Sequence, residues 1–225
     1  MWLIDRYSQD WAEETLDWMD QLSRRHPEAT PYFLMDAAFN KDAVLPFLRT
    51  HVAQEHWYAL YADAPNASDR VLAVSPILMT LRNLPRDLLI ELFRLTDGMP
   101  MLSLIITPEP MTALIERLSA FQVVTVQEMR FVLRLSDTRR LPQLVGMLNA
   151  QQHAELMGPT LTWYYVDRAT RWQSLALPDF VAEPPRRVAF DDEQTADLLE
   201  MNTIDALMDT MRREQTACCL DCLSL

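Results

Sequence analysis

A chain of 225 residues, 49% hydrophobic and 23% charged, is long enough to bury a substantial core in one large domain or two small ones. Its net charge of −12 argues against nucleic acid as a partner, because phosphate binding needs an excess of basic groups. No apolar run reaches the ~18 residues of a transmembrane helix, and the first residues lack the basic segment of a secretory signal. We therefore expect a cytoplasmic protein without a membrane partner.

Helical and strand-like patterns alternate along most of the chain. The first helix carries Trp11, Trp18 and Leu22 on one face, with Ser8 as its cap, and ends at His26 before a proline. Strand-like apolar runs follow at 32–35, 57–61, 77–79, 101–106, 123–126, 131–135 and 161–166, and helical patterns at 40–48, 85–95, 107–118 and 141–148. This alternation predicts an α/β fold, in which helices pack on a mixed β-sheet.

Changes in composition predict three parts: an α/β domain over residues 1–177, a Pro-rich linker over 178–190 and an acidic helical C-terminal segment over 191–225. Residues 183–225 hold ten acidic and four basic residues, which accounts for half of the net charge. The helix of this segment has an apolar stripe that includes Met201, Met208 and Met211. Docking of this stripe on the main domain is favoured, although a methionine surface also suits an adaptable binding site.

The sequence lacks the usual signatures of reaction chemistry. Its three glycines are far apart, which excludes the glycine-rich loops that hold nucleotide phosphates, so we expect no cofactor. His51 and His56 have the wrong spacing to bind zinc from one helical face, and we expect no metal site. The clustered Cys218, Cys219 and Cys222 are typical of reduced thiols in the cytosol.

Charged residues at predicted strand ends are the best candidates for a site. Asp36 and Asp137 each follow an apolar run, where ligands bind in open α/β sheets, but each can also cap the next turn or helix through backbone N–H groups. Capping is favoured for both. Arg134 alternates with apolar residues and can pair with an acid, while Arg139 begins a helix, where its charge opposes the helix dipole and suggests a role in an interaction.

Several segments together resemble the effector-adaptor chaperones of bacterial type VI secretion, a family first catalogued as a domain of unknown function. The resemblance covers residues 30–166. Its segments are the strand Tyr32–Asp36, the segment Ser75–Leu78, the run Arg134–Leu141, and Gly158-Pro159 with Trp163. Leu135 and Ser136 replace the aromatic residues usual in the family, and Thr138 replaces a proline.

The resemblance implies a protein without enzymatic activity, cofactor or small-molecule substrate. Such a protein binds a toxic effector in the cytoplasm and helps to load it onto the VgrG or PAAR spike protein. The candidate partner-binding residues are Asp36, Pro76, Arg134, Asp137, Arg139, Trp163, Met201, Met208 and Met211.

Two alternatives remain open at this point. The acidic charge also suits an immunity protein that neutralises a cationic toxin. An enzyme of an unrecognised α/β class would instead have a deep polar pocket at the strand ends.

Overall fold

The computed structural model describes residues 3–65, 67–126 and 129–201. The helices are α1 (Trp11–Arg25), α2 (Val44–His51), α3 (Asp69–Leu72), α4 (Arg86–Thr96), α5 (Met111–Ala120), α6 (Leu141–Gly146) and α7 (Ala150–Met157). The strands are β1 (Thr30–Asp36), β2 (Trp57–Ala59), β3 (Pro76–Thr80), β4 (Leu102–Thr107), β5 (Val123–Val126), β6 (Met129–Val132), β7 (Thr162–Val166), β8 (Trp172–Ser174) and β9 (Val188–Ala189). None of the helices in these ranges is long and apolar enough to cross a membrane.

The strands form two sheets. The larger sheet has six strands in the order β2-β3-β1-β4-β7-β8, and every neighbouring pair in it is antiparallel. The smaller sheet has the order β6-β5-β9, with an antiparallel β5–β6 pair and a parallel β5–β9 pair. The predicted α/β fold with helices packed on a mixed sheet is therefore confirmed, and the one parallel pair among the described strands lies in the small sheet.

Both faces of the larger sheet are covered. Phe33 and Met35 of β1 point towards a core formed with α1, α2 and α4, while Tyr32 and Leu34 point towards a second core formed with α5, α6, α7 and the small sheet. An antiparallel sheet often leaves one face to water and then alternates apolar with polar residues. Here both faces are buried, and β1 accordingly contains an unbroken apolar run from Tyr32 to Met35.

The chain after β8 returns to the second core. Val188 in β9 and Phe190 just after it are buried there, and the backbone N–H of Phe190 donates to the carbonyl of Thr125 at 3.0 Å. Residues 192–201 are helical, with Leu198 and Met201 buried in the same core. The described part of the C-terminal helix is therefore docked on the main domain, and the Pro-rich segment contributes a strand to the fold.

Three predicted helix starts lie too early in the sequence. Ser8 does not cap α1, because Asp10 takes the cap position and forms no side-chain cap hydrogen bond there. Thr107 does not cap α5, because it completes β4 opposite Thr30, and Pro110 takes the cap position instead. Asn40 ends a short 3-10 helix, and its side chain donates to the carbonyl of Leu95 at 2.9 Å. Since α2 starts only at Val44, Pro46 falls in the first turn, where its missing N–H is not needed.

Asp167 organises the turn between β7 and β8. Its carboxylate accepts hydrogen bonds from the backbone N–H groups of Ala169 and Arg171, both at 2.9 Å, and from the side chains of Arg171 and Gln173. The turn also holds Thr170 at φ +62°, in the left-handed region that β-branched residues rarely adopt. Burial alone would raise the pKa of Asp167, but these hydrogen bonds outweigh it and lower the pKa below 3.8.

Replacement of Asp167 by asparagine is expected to lower the free energy of unfolding by about 1–2 kcal/mol at pH 7, because an ionised acceptor with several donors is lost. Since folding lowers the pKa of Asp167, its stabilising effect is present above pH 3.8 and is lost as the pH falls through the folded pKa. Urea unfolding at pH 7 and pH 3 measures both effects. Asp179→Asn, at an exposed acid, is the control, and equal losses in the two variants would contradict the prediction.

Candidate functional site

The candidate site lies at the end of the larger sheet where β1 finishes and β3 and β4 begin. Asp36 is the last residue of β1 and is paired in register with Pro76, the first residue of β3. The carboxylate of Asp36 accepts a hydrogen bond from the backbone N–H of Ala38 at 3.2 Å and so caps the 3-10 helix Ala37–Asn40. The predicted capping role is confirmed, and Asp36 also takes part in an ion pair.

Arg134 supplies the other half of that pair. Its Nε and a terminal nitrogen donate to one Asp36 oxygen at 3.1 and 2.7 Å. The Asp36 side chain is 2% exposed, whereas the Arg134 side chain is 37% exposed. Burial raises the pKa of Asp36, and the adjacent Arg134 guanidinium opposes this rise. Arg134 therefore stabilises a buried charge while its side chain remains partly exposed.

A second pair lies a few residues further along the chain. Arg139 donates to both carboxylate oxygens of Asp137, at 3.1 and 2.9 Å, and its backbone N–H donates to the same carboxylate at 3.1 Å. The Asp137 carbonyl also accepts the backbone N–H groups of Arg140 and Leu141, where α6 begins. The expected capping of the helix by Asp137 is wrong: its carboxylate accepts a backbone N–H in the turn before the helix, and Arg140 takes the cap position of α6 without a side-chain cap hydrogen bond. The carboxylate of Asp137 neutralises the charge of Arg139, so this charge is not left uncompensated near the N-terminus of α6.

Phe39 connects the two ion pairs. Its ring lies 4.9 Å from the guanidinium carbon of Arg134 and 5.3 Å from that of Arg139. A cation over an aromatic ring at this distance adds roughly 0.5–2 kcal/mol. We refer to Asp36, Phe39, Arg134, Asp137 and Arg139 as the aspartate–arginine cluster. The cluster joins the end of β1 to the segment before α6.

The strand before this cluster has an open edge and two exposed apolar side chains, which point to opposite faces because they are three residues apart. The side chains of Met129 and Val132 on β6 are 57% and 59% exposed, and two residues later the chain reaches Arg134. One edge of β6 pairs with β5, and no strand within the described residues pairs with its other edge. We call this surface the β6 edge. It offers apolar side chains and a strand edge without a partner strand in the described part of the chain, followed by the partly exposed Arg134.

The structure brings together five of the candidate partner-binding residues: Asp36, Pro76, Arg134, Asp137 and Arg139. It does not bring Trp163 or Met201 to the surface. Trp163 is 0% exposed and Met201 is 7% exposed, and both lie in the second core. The expectation that these two side chains contact a partner is corrected, because packing against the sheet and α7 fills their surroundings. Met208, Met211 and the cysteines 218, 219 and 222 lie outside the described residues.

Sequence reasoning missed Arg117, the most buried cation among the described residues. Its side chain is 3% exposed, pairs with Glu109, and donates to the carbonyls of Glu155 and Ala182 at 2.6 and 3.0 Å. It thereby connects α5, α7 and the Pro-rich segment. The signal available in the sequence was an arginine between Leu114 and Leu118 on an apolar helix face.

Tyrosines and histidines near the cluster add little chemistry of their own. Burial raises the pKa of Tyr61, with the charge of Asp36 raising it further and that of Arg134 lowering it. His51 ends α2, and His56 ends a separate 3-10 helix. Within residues 3–65, 67–126 and 129–201, no group of three or more His, Cys, Asp or Glu side chains is placed to hold a metal ion. The two ion pairs of the cluster fix the conformation of this surface, and Arg134 can donate hydrogen bonds from it.

Comparison with known proteins gives one match. No curated protein and no solved structure matches the chain. A family model described as "Domain of unknown function (DUF4123)" matches residues 31–155, which is more than half of the chain and contains the whole aspartate–arginine cluster. The chain therefore belongs to the DUF4123 family.

Proposed function

We propose that this protein is a cytoplasmic adaptor that binds a toxic effector of a type VI secretion system and helps to load it onto the VgrG or PAAR spike protein. Family membership over residues 31–155 carries the proposal, together with the run Arg134–Leu141 that resembles these adaptors. In the structure this run supplies three of the five residues of the aspartate–arginine cluster. In this proposal the protein acts by binding its partners and catalyses no covalent reaction.

The β6 edge is the surface that best suits an effector. An extended segment can add to an open strand edge through main-chain hydrogen bonds, while pockets for alternate side chains give specificity. Met129 and Val132 supply apolar area, whose burial drives association at protein interfaces. Arg134 can donate to a carboxylate or carbonyl at the rim, where charge sets orientation more than affinity.

Co-expression with a toxic effector encoded beside its gene tests the proposal. We expect the effector to co-purify with this protein and to be several-fold more soluble in its presence. Equal solubility without this protein, together with no co-purification, would contradict the proposal.

Two variants locate the binding surface in the same assay. Val132→Asp places a charge on the β6 edge and should reduce co-purification at least tenfold, because a carboxylate at an interface centre is left unpaired. Val181→Asp is the matched control, since Val181 is similarly exposed, at 66%, but lies in the Pro-rich segment. Equal losses in both variants would place the effector elsewhere.

The net charge of −12 favours a second candidate, an immunity protein for a cationic toxin. An inhibitor must block the toxin, whereas an adaptor need only hold it. Survival of cells that express active toxin together with this protein would favour the second candidate.

A further inference from the structure

A groove of about 310 Å³ lies between α1 and the β7–β8 turn, on the side of the larger sheet that carries the first core. We call it the indole groove. Its aromatic lining consists of Trp11, Trp18 and Trp172, and Glu14 lies at its rim. The centroids of Trp11 and Trp172 are 5.8 Å apart, and those of Trp18 and Trp172 are 5.3 Å apart. Three indoles thus form one continuous surface.

Hydrogen bonds fix two of these rings, Trp11 and Trp172. Trp11 is also buried, with the ring of Tyr7 stacked on it at 3.8 Å, so Trp18 and Trp172 supply the accessible aromatic surface. The indole N–H of Trp11 donates to the carbonyl of Thr170 at 2.7 Å, and that of Trp172 donates to the hydroxyl of Thr15 at 3.1 Å. Thr170 is itself held at positive φ by the turn that Asp167 organises. The groove is therefore pre-organised, and an incoming group meets the partly exposed rings of Trp18 and Trp172.

The carboxylate of Glu14 places a negative charge at the rim of the groove. Glu14 is exposed, and in the described part of the chain it forms no ion pair with a basic side chain. Its neighbours on α1 differ, because Glu13, Asp17 and Asp20 all pair with Arg86. Arg171 also lines the groove, but Asp167 compensates its charge through contacts at 3.1 and 3.0 Å.

From these contacts we propose that the indole groove receives an arginine side chain of a partner protein. Aromatic faces attract a cation through the ring quadrupole, and a planar guanidinium stacks on an indole while its N–H groups pair with a carboxylate. The net charge of −12 favours association with a basic partner in general. This inference goes beyond the proposed function, because the groove can receive an arginine whichever protein carries it.

A peptide titration tests the groove. The full chain, labelled with ¹⁵N, is titrated with acetyl-Gly-Ser-Arg-Ser-Gly-amide and with the same peptide carrying citrulline, which keeps the shape and removes the charge. We expect saturable shifts of the indole N–H signals of Trp18 and Trp172 with the arginine peptide only. The signal of Trp163, which is buried on the opposite face of the sheet, should not move.

A matched pair of charge-removing variants completes the test. Glu14→Gln should raise the Kd of the arginine peptide about fivefold. Glu116→Gln removes the same charge from an exposed position on α5, across the sheet, and should leave the Kd unchanged. Equal binding of the citrulline peptide, no saturable shift, or equal effects of the two variants would each overturn the proposal. None of these results depends on an effector, so they are independent of the co-expression test.

Discussion

Replacement of Gly158 by alanine is expected to lower the free energy of unfolding by about 3–5 kcal/mol. Gly158 ends α7 with φ +52° and ψ −140°, a backbone conformation that residues with a Cβ rarely adopt. A Cβ added there would lie 2.3 Å from the guanidinium carbon of Arg117. The added methyl group therefore strains the backbone and also displaces a buried cation.

Displacement of Arg117 is costly because its partners are buried with it. Glu109 is 11% exposed on its side chain and loses its ion pair, while the carbonyls of Glu155 and Ala182 lose their donor. Removing one member of a buried pair leaves the other charged and unpaired, which typically costs 3–5 kcal/mol. The contact with Ala182 also means that the Pro-rich segment should detach more readily in the variant.

Gly146 offers a matched control for this experiment. It lies in α6, and nothing lies within 4 Å of a Cβ added to it, so Gly146→Ala should be neutral or stabilise the protein by up to about 1 kcal/mol. Urea unfolding of both variants gives the comparison. A double-mutant cycle with Arg117→Met separates backbone strain from the clash, since only the clash disappears when Arg117 is absent. A Gly158→Ala variant as stable as Gly146→Ala would show that the contact with Arg117 is not needed.

Replacement of Arg134 by methionine is expected to cost about 2–3 kcal/mol at pH 7, at the lower end for a buried pair because Arg134 is partly exposed. The buried carboxylate of Asp36 would lose its ion pair, and Phe39 would lose one of its two cations. The exposed pair Arg49–Asp69 provides the comparison, since Arg49→Met should change stability by less than about 1 kcal/mol.

The pH dependence identifies Asp36 as the source of this loss. Folding already raises the pKa of Asp36 above 3.8, so its protonated form is favoured in the folded state and stability falls as the pH rises through the folded pKa. Without Arg134 that pKa rises further. The deficit of Arg134→Met should therefore be small below pH 3.8 and grow towards neutral pH.

Adding Asp36→Asn to this variant should recover part of the loss, because an asparagine oxygen can still accept the N–H of Ala38. A deficit that is independent of pH would exclude Asp36 as its cause.

The sequence carried enough information to predict the local parts of this fold. Runs such as Tyr32–Met35 and the apolar faces of α1 and α4 gave the order of strands and helices. Residue type alone indicated that Asp36 caps the element after it and that Asp137 accepts a nearby backbone N–H, although the latter lies in a turn and not at the start of α6. Polar side chains at such positions act on backbone groups only two residues away. Local patterns therefore sufficed for these features.

Long-range pairing could not be predicted in the same way. Asp36 and Arg134 are 98 residues apart, and their ion pair depends on the place of β1 between β3 and β4. Arg117 was missed for the same reason, since its partners Glu155 and Ala182 come from segments that meet only in the folded chain. The burial of Trp163 depends on β7 joining β4, which hydropathy alone does not specify.

The strand order also relates to the direction in which a ribosome makes the chain. β1 to β4 and the helices α1, α2 and α4 all come from residues 11–107. A nascent chain of that length therefore contains four adjacent strands of the larger sheet and most of the residues that pack on one face of it. The helices and the small sheet that pack on the opposite face have not yet been synthesised at that stage. Tyr32, Leu34 and Ile105 receive theirs from residues 111–201, so translation must proceed through the second half of the chain before these side chains find their native neighbours.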